Sequence, residues 1–172
     1  MKRYEIFIKS TVELKKREIN RIIGLKQQHW HYDYQSQKNW FSNNIADDDL
    51  HVLVYKDKRL IAYLNAVWLN VKINNERLKV LGIGNVCVSN EFKNLGVGTL
   101  LMSAINVYLN ENDVGGLLLC KDKLTGFYKR TNWQSVNAEL FIDDIKFSHC
   151  IFAYNLKCNI DEIKKIEFPR AF

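Results

Sequence analysis

From Tyr4 to Lys9 apolar and polar residues alternate, the pattern of a short strand. Ser10-Thr11-Val12-Glu13 follows, serine three residues ahead of glutamate. That capping-box pattern predicts a helix, with Leu14, Ile19, Ile22 and Ile23 on its inner face and Gly24 ending or bending it. Gln27 to Ile45 is dense in aromatics (His29, Trp30, His31, Tyr32, Tyr34, Trp40, Phe41) but weakly periodic, which predicts helix plus loop. After Leu50 the period shortens. His51–Tyr55, Leu60–Val71 and Leu78–Val88 are predicted strands, separated by turns at Lys56-Asp57-Lys58-Arg59 and Asn74-Asn75-Glu76, and they form an antiparallel meander. Gly82 and Gly84 interrupt the third. Leu100, Leu101, Ala104, Ile105, Tyr108 and Leu109 recur at helical spacing and predict a helix over Val97–Asn110. Gly116–Cys120 is a short apolar strand, Thr125–Arg130 a helix, and Ala138–Ile142 with Ser148–Leu156 a closing hairpin. This order predicts an α/β (α+β) fold, a twisted and largely antiparallel sheet with helices on both faces.

The chain has 172 residues, one proline (Pro169), no Gly/Ser-rich linker and no internal repeat. One domain spanning 1–172 is therefore expected, long enough to bury a core without staples. Hydrophobic residues make up 47% and charged residues 26%, ordinary for a soluble protein. The segment from Met1 to Lys9 carries Lys2, Arg3 and Lys9 but no apolar run, and no apolar stretch reaches about 18 residues. Neither a secretory signal nor a membrane span is expected, and a cytoplasmic location is the default. Cys87, Cys120, Cys150 and Cys158 form no CxxC pair and fit no zinc spacing, so no metal is expected. They are expected to be reduced thiols acting as small hydrophobes. The formal charge is +6, yet the basic residues are scattered among carboxylates, so no nucleic-acid partner is expected. A positive surface also attracts a diphosphate-bearing ligand.

The chemistry is concentrated in Val86-Cys87-Val88-Ser89-Asn90-Glu91-Phe92-Lys93-Asn94-Leu95-Gly96-Val97-Gly98-Thr99: an apolar strand, a polar turn, two glycines one residue apart, then a helix. The glycines let backbone turn sharply and let a ligand approach where a Cβ would intrude. A helix start carries unpaired N–H groups and partial positive charge, a phosphate site to which Lys93 adds a cation. It is not a Walker loop, because Thr99 rather than lysine follows Gly98. It is not a dinucleotide fingerprint either, because Leu101 stands where the third glycine belongs. Taken alone, the pattern is equally well a tight connection that binds nothing.

A second segment, Gly126-Phe127-Tyr128-Lys129-Arg130-Thr131-Asn132-Trp133, changes that balance. Together the two resemble the GNAT acyl-CoA transferases. Lys93-x-x-Gly96-x-Gly98 matches the family's Arg/Gln-x-x-Gly-x-Gly/Ala loop. Phe127-Tyr128 followed by Asn132-Trp133 matches its Phe-Tyr…Gly-Phe/Trp segment, with asparagine in the left-handed position that ends a helix. The resemblance runs from about His51 to Leu156. Within the superfamily the meander before the loop looks most like the aminoglycoside 2'-N-acetyltransferase branch.

The resemblance implies acetyl-CoA as co-substrate. Backbone groups of Val86, Cys87 and Val88 would bind the pantetheine arm, and loop amides from Lys93 through Asn94, Leu95, Gly96, Val97 and Gly98 to Thr99 the pyrophosphate. Tyr128 matches the tyrosine that protonates the departing thiolate, a task suited to a phenol neutral at pH 7; the alternative is a core tyrosine anchoring its helix. The branch's glutamate base falls at Gly84. Asp33, Asp143 and Asp144 are the remaining carboxylate candidates, reached through ordered water. The His29–Phe41 cluster is a candidate acceptor wall, with Trp30, Tyr32, Asp33, Gly84 and Asn85 as acceptor-binding candidates. Lys121 stands where many relatives have a coenzyme-contacting asparagine.

The leading expectation is an N-acetyltransferase acting on a small primary amine, an amino sugar or aminoglycoside among them. Two others stay open: a protein or peptide N-acetyltransferase, and a non-catalytic CoA-binding sensor. No membrane partner is expected. Relatives are often dimers, so a homodimer is an expectation no residue here demands.

Overall fold

In a computed structural model, which describes residues 3–172, the opening alternation forms strand β1 (Tyr4–Ser10). Ser10 and Glu13 do close the box that their spacing implies: the Glu13 carboxylate accepts from the Ser10 N–H at 2.7 Å and hydroxyl at 2.8 Å. It caps only one 3-10 turn, Thr11–Glu13, because the Thr11 and Val12 N–H groups are drawn off to the carbonyls of Asp49 and Asp47 at 3.0 and 3.3 Å. Helix α1 (Lys16–Lys26) starts afresh, with Glu18 accepting from the Lys15 N–H at 3.0 Å. Gly24 does not end it, and a Cβ there would meet nothing within 4 Å. After a loop comes α2 (Tyr34–Asn44). Then come β2 (Leu50–Lys56), β3 (Arg59–Ile73) and β4 (Glu76–Val88), the three strands the sequence predicts.

Two compact units can be described, and β3 and β4 run through both. The first comprises the chain up to Val67 together with Asn85–Ile105. In it β1 lies antiparallel on β2, Tyr4 opposite Lys56 and Ser10 opposite Leu50. In turn β2 lies antiparallel on β3, from Leu50 opposite Ala66 to Lys56 opposite Arg59. Asp57 and Lys58, both at positive φ (50° and 63°), make the tight turn between them. Leu53, Leu60 and Tyr63 from the strands pack with Leu14, with Ile22 and Leu25 of α1, and with Phe41 of α2. Since helices cover these strands, they read as unbroken apolar runs rather than alternating ones.

The second unit comprises Trp68–Gly84 and Asn106–Phe172. Helix α3 (Val97–Glu111) leads into it. Its elements are β5 (Gly116–Cys120), α4 (Thr125–Arg130), β6 (Gln134–Val136), β7 (Glu139–Ile142), β8 (Ile145–Phe147), β9 (Cys150–Tyr154) and β10 (Lys165–Phe168). Here β4 pairs parallel with β5 over Leu81–Ile83, and β9 lies antiparallel on both β5 and β6. Strand β10 is antiparallel to the end of β3 and parallel to β7.

The predicted closing hairpin does not form. Strand β7 turns back through Asp143-Asp144, both at positive φ (49° and 60°), onto β8, while β9 is taken by β5. The three exposed residues of β8 offer no alternation to read, which is why the apolar run after them looked like the partner. Strands β6 and β10 are also absent from the predicted elements, each only three or four residues long and too short for a period to show. The fold is mixed α/β, with a mostly antiparallel sheet and, among the described residues, four α-helices.

Candidate active site

Ile83 is the last β4 residue in register with β5, and β4 runs on through Gly84 to Val88. Directly beyond it the strand kinks: Asn85 sits at φ 50°, a conformation that side chains rarely adopt. Its amide Nδ2 donates to Oδ1 of Asn65 at 2.8 Å. Asn65 is fully buried, and its own Nδ2 has no partner among the described residues. Cys87 packs in the first unit's core, and burial pushes its thiol up to about 12. The thiol is thus held protonated at neutral pH, the state of an unreactive buried cysteine. Val86 and Val88 are half-buried.

The strand leads into a 3-10 turn, Asn90–Phe92, closed by the Phe92 N–H on the Ser89 carbonyl at 2.8 Å. Its Glu91 is gripped by both guanidinium nitrogens of Arg59, at 2.7 and 2.8 Å. Lys93 to Gly96 then form an exposed turn in which Asn94 (φ 60°) and Gly96 (φ 78°) are left-handed. The first hydrogen bond of α3 runs from the Leu100 N–H to the Gly96 carbonyl at 3.0 Å. The amides of Val97, Gly98 and Thr99 thus belong to the first turn, where no helical acceptor lies below them. An exposed left-handed turn, three first-turn amides with no acceptor in their own helix, and Lys93 are features suited to an anion at the start of a helix four turns long.

Tyr128 lies on α4 in the second unit, 5% exposed, beside the rings of Phe127 and Phe152 at 5.0 and 5.8 Å between centroids. Burial, then the Cys120 thiol, pushes its pKa up, so it stays a neutral donor. The helix around it is pinned at its end. Three donors converge on the Tyr128 carbonyl: the Thr131 N–H at 3.0 Å, the Thr131 hydroxyl at 2.9 Å and the Trp133 N–H at 3.1 Å. Asn132 takes the left-handed position at φ 68°. Trp133, 2% exposed, donates from Nε1 to Oδ1 of Asn106 at 2.8 Å, and Asn106 donates to the Thr131 carbonyl at 2.9 Å. A Cβ at Gly116 would come within 2.8 Å of the Trp133 ring, so only glycine fits beneath the indole.

The acceptor candidates fare unevenly. Asp33 is the N-cap of α2, accepting from the Ser36 N–H at 2.9 Å and hydroxyl at 2.6 Å. Those bonds hold its pKa below the usual carboxylate value and leave it a poor base. Trp30 packs half-buried against the first unit's core, whereas Tyr32 is 65% exposed. Gly84 and Asn85 lie half-buried on β4, and Asp143 and Asp144 sit exposed in their turn in the second unit. No general base emerges from these positions.

Several features had no signal in the sequence. Lys26 is 4% exposed, lies 4.2 Å from the centre of the Trp40 ring and is pulled down by desolvation to about 8. His29 donates from Nε2 to the Val88 carbonyl at 2.8 Å, and Gln28 accepts from the Asn90 N–H at 3.0 Å. Only an aromatic run with two polar residues before it marked this place. Among the described residues no group of His, Cys, Asp and Glu has a metal-holding arrangement, and no helix is long and apolar enough to cross a membrane.

A mostly antiparallel sheet with parallel pairings at β4–β5 and β7–β10, and a glycine turn opening a helix, agree with the acyltransferase fold that the sequence resembles. The chain belongs to the acetyltransferase (GNAT) domain family, whose model matches residues 11–136. It is an acetyltransferase, and the acyl donor of this family is an acyl-CoA. Similar solved structures agree in fold. The acyl-CoA N-acyltransferase from Pseudomonas aeruginosa is 19% identical over 88% of this chain and 99% of that one, with a TM-score of 0.65. Escherichia coli ElaA is 20% identical over 88% and 99%, with a TM-score of 0.66. The E. coli GNAT protein YhbS, in complex with CoA, is 13% identical over 98% and 91%, with a TM-score of 0.69. No curated protein matches the chain.

Proposed function

We propose that the chain moves an acetyl group from acetyl-CoA to the primary amine of a small acceptor, an amino sugar or aminoglycoside among the candidates, by direct attack. The observation that carries this reading is the run of first-turn amides from Val97 to Thr99, with no acceptor in their own helix, behind the left-handed turn of Asn94 and Gly96. In the proposed reaction the neutral amine attacks the thioester carbonyl and forms a tetrahedral oxyanion. A backbone N–H of the Val86–Val88 stretch stabilises that charge, a large electrostatic contribution in acyl transfer. Collapse breaks the carbon–sulfur bond, and the thiolate takes the phenolic proton of Tyr128. The ammonium proton leaves through water, since Gly84 offers no carboxylate.

A small acceptor is favoured over a protein by the order within 27–45, whose helix α2 (Tyr34–Asn44) is capped by Asp33 and packed by Phe41 onto His51, ring centroids 5.4 Å apart. A rigid cover of this kind suits a bounded acceptor. A thiol-release screen with acetyl-CoA against amino sugars, aminoglycosides, polyamines and peptides tests the reading. Release with small amines supports it and release with peptides alone replaces it. CoA binding without release from any amine turns it into a sensor.

A further inference from the structure

We propose that His29 belongs to the donor side of the site: it fixes the edge of β4 along which the coenzyme arm lies, and its ring borders that arm. This rests on the coenzyme reading above. The Ser89 N–H points at the carbonyl of Ile61 on β3, 2.7 Å away. A trans peptide sets the Val88 carbonyl opposite that N–H, so it points away from β3. In an extended strand the N–H and carbonyl of one residue face the same side, and alternate residues repeat it. The outward groups are therefore those of Val86 and Val88, two of the three residues whose backbone the family resemblance gives to the pantetheine arm; the groups of Cys87 face β3. His29 Nε2 occupies the last of them, the Val88 carbonyl, at 2.8 Å. Its neighbour Gln28 holds the Asn90 N–H, just past the strand, at 3.0 Å. Two consecutive side chains thus staple the segment after α1 to the end of β4 and the turn that leads into the diphosphate loop.

The staple removes the final carbonyl from the edge and marks where an extended arm must leave the strand for the loop. With Nε2–H donating to Val88, Nδ1 is left as the ring's other polar atom. Burial lowers the His29 pKa, and the charge of Lys93, the loop's cation, lowers it further. His29 is thus not part of the acceptor wall that its aromatic surroundings suggested.

The test measures the Kd of CoA by calorimetry, and kcat and both KM values, for the wild type, His29→Ala, His29→Gln and Gln28→Ala. Removing one partner of such a bond typically costs about tenfold or more. His29→Ala is expected to weaken CoA binding about tenfold, with the acceptor KM and the kcat at saturating donor within about twofold of wild type. Glutamine, which places an N–H at the same reach, should restore most of the affinity, and Gln28→Ala should show a smaller loss of the same kind. Thermal melts within a few degrees of wild type confirm that the variants fold. Unchanged CoA affinity in folded His29→Ala, or an effect confined to the acceptor KM, overturns this inference alone. A wild type that binds no CoA overturns the proposed function itself.

Discussion

The end of β4 with its loop, in the first unit, and the α4 segment, in the second, are held by opposite means. In the proposed reading the loop binds through backbone amides, and its side chains are mostly exposed: Lys93, Asn94, Leu95 and Thr99 face solvent. The α4 segment offers a side chain, Tyr128, set by a buried chain of hydrogen bonds from Trp133 through Asn106 to Thr131. Where backbone does the binding, the sequence needs only residues that permit the turn, and most substitutions should be mild. Where one side chain acts, everything that places it matters.

The sharpest break between the two should come at Trp133. Trp133→Ala empties a fully enclosed site and strands Asn106, at a cost of about 3–5 kcal/mol, which chemical unfolding will register. No loop substitution should approach that figure. The first unit's own stability should instead depend on pH. His51 is fully buried, stacked between Phe41 and Tyr63. The Thr11 hydroxyl is spent on the Asp49 carbonyl at 3.2 Å. His51 Nε2–H therefore donates to Thr11 at 3.0 Å, and Nδ1 accepts from the Tyr63 hydroxyl at 2.8 Å. A second ring proton would displace the Tyr63 donor in a dry site, and desolvation lowers the pKa from 6.5 to about 4. The unfolded chain takes up that proton first. Stability is thus full above about 6.5 and falls as the pH drops toward 4, by roughly 3 kcal/mol in all. Unfolding titrations across that window should show the fall, and His51→Asn should flatten it.

Smaller and purely kinetic is the effect of Tyr128→Phe. Loss of a positioned proton donor typically costs about a hundredfold or more, so kcat should fall about a hundredfold while CoA affinity stays put. A variant that keeps full rate would make Tyr128 a core residue only. Gly96→Ala should be the mildest. A Cβ there touches nothing, and the cost is the left-handed φ alone. At about 1–2 kcal/mol, CoA binding should weaken roughly tenfold with folding intact.

The same contrast explains what could be read in the sequence. Glycines, a capping asparagine and a helix period are local signals, so β4, the loop, α3 and α4 with Asn132 were legible from residue types alone. The strand pairings after Trp133 were not, because they depend on which partner an apolar run finds at long range. Cys150–Tyr154 pairs with β5 and β6, and nothing in its own sequence says so. The His29 and Gln28 contacts were hidden for the same reason: each joins residues some sixty positions apart. Asp33 misled in the other direction, since a carboxylate that looks free in sequence is consumed by its own helix.

One titration tests the central claim: following backbone amide resonances by NMR as CoA is added. The amides of Asn94 to Thr99 should show the largest shifts, and pantetheine, which lacks the diphosphate, should leave those of Val97 to Thr99 nearly unmoved. If CoA binds while the loop amides stay silent, or pantetheine moves them equally, the diphosphate is not held at the start of α3 and the account is wrong.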